Sequence, residues 1–174
     1  RKPGADTMLT WEEINTSLID EADYFHFGTL GLSQEPCRRA TREAVAYAKK
    51  QRKTITFDPN YRKPLWDSEE HARNEIAWGL KQANIVKISD EDIAFFWDYP
   101  LEQSARRIRE EYGVSFVMLT MGENGCLLQT DFAECFVPAL SVSAVDTTGA
   151  GDIFGGSAVA QLLHLQKRIE DLTK

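Results

Sequence analysis

The chain has few of the residues that build disulfide frameworks and metal sites. It contains 3 cysteines and 3 histidines among 174 residues. Cys37, Cys126 and Cys135 are an odd number and lack the spacing of a zinc site, which predicts reduced thiols and a cytoplasmic location. The histidines are scattered and indicate no metal site: His26, His71 and His164.

Positive charge and long apolar runs are also scarce. Lys and Arg together number 20 against 27 Asp and Glu, for a formal net charge of -7. This balance argues against a nucleic-acid-binding surface, which is normally basic. No apolar run reaches the length of a transmembrane helix, and the first residues lack a signal-peptide core, so we expect no membrane partner. The 43% of hydrophobic residues is enough for one domain with its own core.

Strand and helix patterns alternate along most of the chain, which predicts an α/β fold with a mostly parallel sheet covered by helices. A turn at 122–125 adds an antiparallel hairpin at one end. Ligands of such sheets bind beyond the carboxyl ends of the strands. The predicted strands are 22–28, 54–58, 84–89, 115–121, 126–130 and 133–139, and the predicted helices are 10–19, 35–51, 68–83, a short helix after Ser89, 100–112 and 149–165.

The segment VDTTGAGDIFGG places small residues and one acid at the start of the last predicted helix. Gly149, Ala150 and Gly151 leave the backbone open, and the N–H groups of a helix N-terminus attract an anion such as phosphate. Asp152 would then be placed to take a proton from an attacking hydroxyl group. In the alternative interpretation, Asp152 only favours the helix dipole. The residues alone leave both interpretations open.

Five motifs follow one another in an order that resembles the PfkB/ribokinase family of sugar kinases. Two of them, HFGTL and FDPNYRKPLW, are most similar to its fructokinase and 2-keto-3-deoxygluconate kinase branch. The resemblance covers essentially the whole chain and implies a ribokinase-like, Rossmann-like three-layer sandwich. The motifs are HFGTLGLSQEP (26–36), FDPNYRKPLW (57–66), KISDED (87–92), LTMGENG (119–125) and DTTGAGD (146–152).

The resemblance assigns roles to the residues of the last motif. Asp152 matches the catalytic base of the family, and the three residues before it match the anion hole for the transferred phosphate. Asp146 and Thr148 match positions that hold a monovalent cation, usually K⁺, which would offset phosphate charge.

The earlier motifs supply nucleotide-side and substrate-side candidates. Thr120, Gly122 and Gly125 match the turn on the nucleotide side, although the two glycines would also suit a plain hairpin. Asn60 and Arg62 follow the second strand, and the Arg62 guanidinium could bind a phosphate or a sugar oxygen.

The motif KISDED departs from the family pattern Asn-x-x-Glu, which places Mg²⁺ and phosphates. Here Ser89 stands for the Asn and Asp92 for the Glu. A helix capping box is an equally good interpretation of this pair, and the two interpretations are compatible. Lys87, at the end of a strand, could reach the phosphates as a point charge.

By resemblance, the implied activity is transfer of a phosphoryl group from ATP, with Mg²⁺ and K⁺, to a primary hydroxyl of a small sugar, foremost fructose. The alternatives are 2-keto-3-deoxygluconate or another acceptor of the family, including a nucleoside. In a different class stands a nucleotide-binding module without catalysis. These alternatives differ in turnover, which only the enzymes would show.

We expect residues 1–174 to be a single, partial kinase domain. The N-terminal region and the small lid of the family have no counterpart among the motifs, nor has the family's C-terminal segment that helps enclose adenine. We therefore expect the isolated chain to have little kinase activity. An unpaired strand edge would also favour association, for which we expect a homodimer.

Overall fold

The computed structural model describes residues 4–166 and residue 171. These residues form two compact units, one up to Val86 and the other from Lys87 onward. The division falls inside the third strand, so that strand begins in the first unit and ends in the second.

The first unit is a βαβα arrangement that continues into a third strand. The strands β1 and β2 pair in parallel, with Gly28 opposite Asp58, and β2 pairs in parallel with β3. The elements of this unit are α1 (Thr16–Glu21), β1 (Tyr24–Gly28), α2 (Cys37–Lys50), β2 (Thr54–Asp58), α3 (Glu69–Gln82) and the start of β3 (Ile85–Ser89).

Helical spacing of apolar residues explains why α2 and α3 form and which face each one buries. One stripe of α2 is buried through Ala40, Ala44 and Ala48, which recur every four residues. In α3, Ile76 and Leu80 form the corresponding stripe and are at most 1% exposed. These two stripes supply much of the apolar core of the first unit.

The second unit carries the antiparallel part of the sheet. The strands β4, β5 and β6 pair antiparallel in chain order. The elements of this unit are the end of β3, α4 (Asp90–Phe96), α5 (Leu101–Tyr112), β4 (Phe116–Thr120), β5 (Cys126–Gln129), β6 (Glu134–Val137) and α6 (Ala150–His164).

The six strands belong to one sheet in the order β1-β2-β3-β4-β5-β6. Parallel pairing in the first unit and antiparallel pairing in the second confirm the α/β fold with a hairpin at one end of the sheet. Because β1, β2 and β3 are parallel, their carboxyl ends lie at the same edge.

The prediction of one helix over 10–19 is wrong. The capping box between Thr10 and Glu13 is present, since the Thr10 N–H donates to the Glu13 carboxylate at 2.9 Å. It opens only a single 3-10 turn, Trp11–Glu13. Asn15 then caps a separate helix, α1, by accepting the N–H of Ser17 at 3.1 Å. Two caps so close together divide the segment.

Two features that the sequence predicts to be absent are disulfide bonds and membrane-spanning helices. All three cysteines are free thiols, with Cys37 and Cys126 buried and Cys135 exposed. Among the helices of residues 4–166, none combines the length and apolar character needed to cross a bilayer.

Candidate active site

The first turn of α6 presents backbone N–H groups at the motif DTTGAGD. Gly149 is the N-cap and adopts a left-handed conformation with φ of 78°, which favours glycine. The Ala150 N–H donates to the Thr147 carbonyl at 3.1 Å, and the Ile153 N–H donates to the Gly149 carbonyl at 2.9 Å. The N–H groups of Gly151 and Asp152 lie between them, in the turn that has no intrahelical acceptor. This turn can therefore bind an anion.

Asp152 is the acidic residue of that first turn. Its side chain is exposed, so the carboxylate is open to a second reactant. A carboxylate beside an anion-binding turn is chemically suited to accept a proton from a hydroxyl group that attacks the anion.

Lys87 reaches the same turn from β3. A Cβ atom on Gly151 would lie 2.7 Å from Nζ of Lys87 and 3.3 Å from its Cε. A Cβ on Gly155, one turn further along α6, would lie 3.8 Å from Cβ and Cγ of Lys87. The lysine stem therefore runs along the glycine face of α6, with its ammonium beside the first turn. The structure thus brings together Lys87 and Gly151, which belong to two different sequence motifs.

Asp146 and Thr148 form a tight turn just before α6. The Thr148 N–H donates to Oδ1 of Asp146 at 2.8 Å. Hydrogen bonds from the backbone and side chain of Thr148 lower the pKa of the Asp146 carboxyl group. Both side chains are exposed. An ionised carboxylate and a hydroxyl group are oxygen donors of the kind that hard cations prefer, so this pair fits a monovalent cation.

Ser89 and Asp92 form the capping box of α4. The Asp92 N–H donates to Oγ of Ser89 at 3.1 Å, and the Ser89 hydroxyl donates to Oδ2 of Asp92 at 2.7 Å. Asp92 is only 6% exposed. The capping-box interpretation is confirmed, while a part in placing Mg²⁺ stays a prediction.

No dedicated magnesium cluster is apparent in the part of the chain that the structure describes. Within residues 4–166 and residue 171, no three His, Cys, Asp or Glu side chains are grouped to hold a metal ion. Mg²⁺ that binds together with a nucleotide commonly keeps most of its ligands from water and phosphates, so a site of that kind requires few protein side chains.

The turn after β4 has a structural reason for both of its glycines. Gly122 and Gly125 have φ of 52° and 111°. A Cβ on Gly125 would also lie 2.9 Å from Cα of Pro138, which follows β6. Thr120, at the end of β4, donates its hydroxyl to the Ile88 carbonyl at 3.4 Å. The hairpin geometry thus requires these glycines whether or not a nucleotide binds there.

In the first unit, Asn60 and Arg62 follow β2 as predicted. Asn60 has φ of 41°, and its N–H donates to Oδ1 of Asp58 at 3.2 Å. Arg62 is exposed and donates to the Tyr61 carbonyl at 2.9 Å. Asp58 was not among the predicted site residues, yet its buried carboxylate accepts the Asn60 N–H and shapes this loop. An acid at the end of a buried strand is the signal that could have identified it.

Comparison with known proteins decides the family. Residues 2–174 match the model of the pfkB family carbohydrate kinases. The chain belongs to that family. The pfkB match includes both units and every motif discussed above.

A fructokinase is similar in sequence to nearly the whole chain. A probable fructokinase-2 of Arabidopsis thaliana is 37% identical over 172 residues, which are 98% of this chain and 52% of the relative. The chain thus spans about half the length of the curated relatives it matches.

Two solved structures share the fold. A fructokinase from Vibrio cholerae O395, crystallised with fructose, ADP and a calcium ion, has a TM-score of 0.86 and 27% identity, over 99% of this chain and 55% of its own. A double mutant of the Vibrio cholerae O395 fructokinase, with fructose, ADP and a potassium ion, has a TM-score of 0.84 and 27% identity, over 92% of this chain and 51% of its own. The ribokinase-like fold expected from the motifs is therefore confirmed.

Proposed function

We propose that the natural protein containing these residues is an ATP-dependent sugar kinase and that its acceptor is fructose. The observation that carries the proposal is the start of α6, where an anion-binding turn, the exposed carboxylate of Asp152 and the ammonium of Lys87 meet. The 37% identity to a probable fructokinase supports fructose over other sugars.

The proposed reaction is an in-line transfer. The oxygen of a primary sugar hydroxyl attacks the γ-phosphorus of ATP, and Asp152 accepts the hydroxyl proton. The bond from the γ-phosphorus to the bridging oxygen breaks, and ADP leaves with that oxygen. The N–H groups of Gly149, Ala150 and Gly151 are proposed to stabilise the charge on the transferred group. The Ala150 N–H, which donates to the Thr147 carbonyl at 3.1 Å in this structure, would exchange that acceptor for the phosphoryl oxygen. Such transfer depends mainly on positioning and electrostatics.

Metal ions complete the proposal. Mg²⁺ would bind chiefly to the ATP phosphates and neutralise their charge. The Ser89–Asp92 pair is proposed to place it indirectly, since both side chains are engaged in the capping box. Asp146 and Thr148 are proposed to hold K⁺, in line with the potassium ion in the Vibrio fructokinase.

The remaining candidates are assigned to the two substrates. We propose that Thr120 and the turn containing Gly122 and Gly125 contact the nucleotide. Asn60 and Arg62 are proposed to bind the sugar. A cytoplasmic location fits the supply of ATP, and a homodimer stays a prediction that light scattering can test.

The first test is ADP release by the natural protein with ATP, Mg²⁺ and K⁺. Fructose, 2-keto-3-deoxygluconate, ribose and adenosine are supplied separately. We expect turnover with fructose and a loss of about 10²–10⁴-fold in kcat for Asp152→Asn, the typical contribution of a general base. Asp98→Asn, an exposed aspartate after α4, is the matched control and should retain full activity.

Other outcomes separate the alternatives. Turnover with a different acceptor would support the proposed kinase activity and contradict fructose as the acceptor. ATP binding without turnover on any acceptor would favour the noncatalytic module. Assaying residues 1–174 alone in parallel tests the expectation that this chain has little activity by itself.

A further inference from the structure

We propose that His71, as a neutral ring with its proton on Nδ1, is a positioning residue that holds the loop after β2 in place for the sugar. This loop, residues 59–67, contains Asn60 and Arg62. The inference deepens the proposed kinase function and rests on it, because the sugar is the ligand proposed for these two residues.

His71 is fixed in the first turn of α3. Its backbone N–H donates at 3.1 Å to Oγ of Ser68, the N-cap of that helix. Its side chain is only 21% exposed. The edge of its ring meets the ring of Trp66, with 5.2 Å between centroids and an angle of 88° between planes. Since Trp66 ends the motif FDPNYRKPLW, the histidine ring packs against the end of the loop.

The partners of the two ring nitrogens determine the protonation of His71. Nε2 lies 2.6 Å from Nη1 of Arg38 in α2. A guanidinium group has N–H donors and no acceptor, so Nε2 accepts and carries no proton. Nδ1 lies 2.7 Å from Oδ1 of Asp67. The hydrogen bond with His71 lowers the pKa of the Asp67 carboxyl group, which is therefore ionised at neutral pH and accepts the Nδ1 proton.

The hydrogen bonds of the ring join α2 to the loop after β2. On the α2 side, Nε of Arg38 donates to Oε1 of Glu35 at 2.7 Å. Glu35 belongs to the motif HFGTLGLSQEP, which follows β1. This chain of hydrogen bonds therefore links that motif to Asp67, the residue directly after FDPNYRKPLW.

The proposed sugar-binding residues lie between two fixed points of the loop. At its start, the Asn60 N–H donates to Oδ1 of Asp58 at 3.2 Å. Towards its end, the Leu65 N–H donates to the Arg62 carbonyl at 2.9 Å, so Arg62 belongs to the turn that leads to the His71 contact. Removing His71 would release the second fixed point. The loop would then have to be ordered again when the sugar binds, which lowers affinity.

A purely structural role of His71 makes a different prediction. If the residue only stabilises α3, its replacement lowers the free energy of unfolding but leaves the KM for the sugar unchanged in the folded protein. If it positions the loop, the KM for the sugar rises, while kcat and the KM for ATP do not change. Loss of an interaction that supports the binding of one substrate has this signature.

The ion pair between Lys63 and Glu69 supplies a matched control. It joins the same loop to the same helix, with 2.8 Å between Nζ and Oε1. Its side chains are 76% and 54% exposed, and such surface pairs contribute little. Glu69→Gln should therefore behave like the parent protein.

The experiment measures kcat and both KM values in the natural protein and five variants: His71→Ala, His71→Asn, Asp67→Ala, Glu69→Gln and Asp152→Asn. The sugar is the acceptor that gives turnover in the test above. We expect His71→Ala to raise its KM by about tenfold, the effect of losing a charge-assisted hydrogen bond, and Asp67→Ala to do nearly the same. His71→Asn should recover most of the loss, because its amide N–H can still donate to Asp67.

Nitrogen NMR provides a readout that does not depend on turnover. The His71 signals are assigned by their absence in His71→Asn. At neutral pH they should show a neutral ring with the proton on Nδ1. A proton on Nε2, or on both nitrogens, would overturn the inference.

The kinetic outcomes separate this inference from the proposed function. Retained turnover in Asp152→Asn, or no turnover in the parent protein, overturns the proposed function. Loss in Asp152→Asn together with parental KM values in His71→Ala and Asp67→Ala overturns only the role of His71, as does an equal rise in the KM for ATP. If His71→Ala does not fold, Asp67→Ala still decides, because the Asp67 side chain is 77% exposed and its removal leaves the core intact.

Discussion

Gly79 of α3 lies directly against the ring of Phe57 of β2. A Cβ atom on Gly79 would come within 2.7 Å of Cε2 and 2.8 Å of Cε1 of that ring. Phe57 is 1% exposed and also packs on Phe27, with 4.7 Å between ring centroids. The ring is therefore held from more than one side. This close approach sets the position of β2 and of the loop that begins at its end.

Replacing Gly79 should test that packing. We expect Gly79→Ala to lower the free energy of unfolding by about 1–3 kcal/mol, because the added methyl group overpacks a rigid core. Gly156→Ala is the matched control, since no described atom lies within 4 Å of its Cβ position. There, the better helix propensity of alanine should raise stability by up to about 1 kcal/mol. Urea unfolding measures both, and equal gains in the two variants would contradict the packing.

The ion pair between Arg42 and Glu75 should contribute more than a surface pair. Nη2 of Arg42 donates to both carboxylate oxygens of Glu75, at 2.9 and 2.8 Å, and the Glu75 side chain is only 8% exposed. We expect Arg42→Ala to cost about 2 kcal/mol of stability, because a buried carboxylate loses its closest cation and Trp78 loses the guanidinium that lies 4.4 Å from its ring centroid. Arg39→Ala, in the exposed pair with Glu43 on the same helix, should cost no more than about 0.5 kcal/mol. Thermal and urea unfolding measure both variants. Similar losses of stability in Arg42→Ala and Arg39→Ala would contradict a larger contribution from the buried pair.

The potassium prediction depends on the charge of Asp146. The hydrogen bonds from Thr148 lower the pKa of this carboxyl group, so it is ionised at neutral pH and available to a cation. We expect Asp146→Asn to raise the K⁺ concentration for half-maximal ADP release by about tenfold, since ligand charge sets cation affinity. Asp98→Asn should leave the K⁺ dependence unchanged. An unaltered K⁺ titration in Asp146→Asn would place the ion elsewhere.

Stability at high pH should depend on Cys126. Burial raises the pKa of its thiol from 9.0 to about 11, and the charge of Lys87 partly opposes this. The unfolded chain therefore releases the proton first as the pH rises. The contribution of the thiol to stability is complete below pH 9 and is lost by pH 11, at a slope of at most about 1.4 kcal/mol per pH unit.

Comparing variants isolates this effect from other titrations. Cys126→Ala should lose less stability than the parent protein between pH 9 and 11. Cys135→Ala is the control, because Cys135 is exposed, and it should follow the parent. Identical pH profiles for all three proteins would contradict the burial of the Cys126 thiol.

Much of the fold was predictable because local patterns determine it. The strand predicted at 54–58 coincides with β2, Thr54–Asp58, where a run rich in β-branched residues ends at a loop with proline. The capping box at Ser89 was likewise visible, since it involves residues three apart. The prediction of one helix over 10–19 failed because two local caps lie there. The sequence pattern does not show that the second cap starts a helix of its own.

The candidate site was predictable in part. The turn before α6 was found because its unusual residues are contiguous. The contact between Lys87 and Gly151 was not, because it joins distant segments and depends on how α6 lies against β3. The need for glycine at position 125 was not predictable for the same reason. The atoms that exclude a side chain there belong to the residues after β6.

The sheet order β1 to β6 repeats the order of the strands along the chain. A chain emerging from the ribosome can therefore add each new strand to the one just made, without waiting for a later segment to be inserted between them. Segments close in sequence need short loop closures, which cost less entropy than distant ones. During translation these six strands would thus be added in chain order at the side of the newest strand, which reduces the opportunity for mispairing between strands that are distant in the chain.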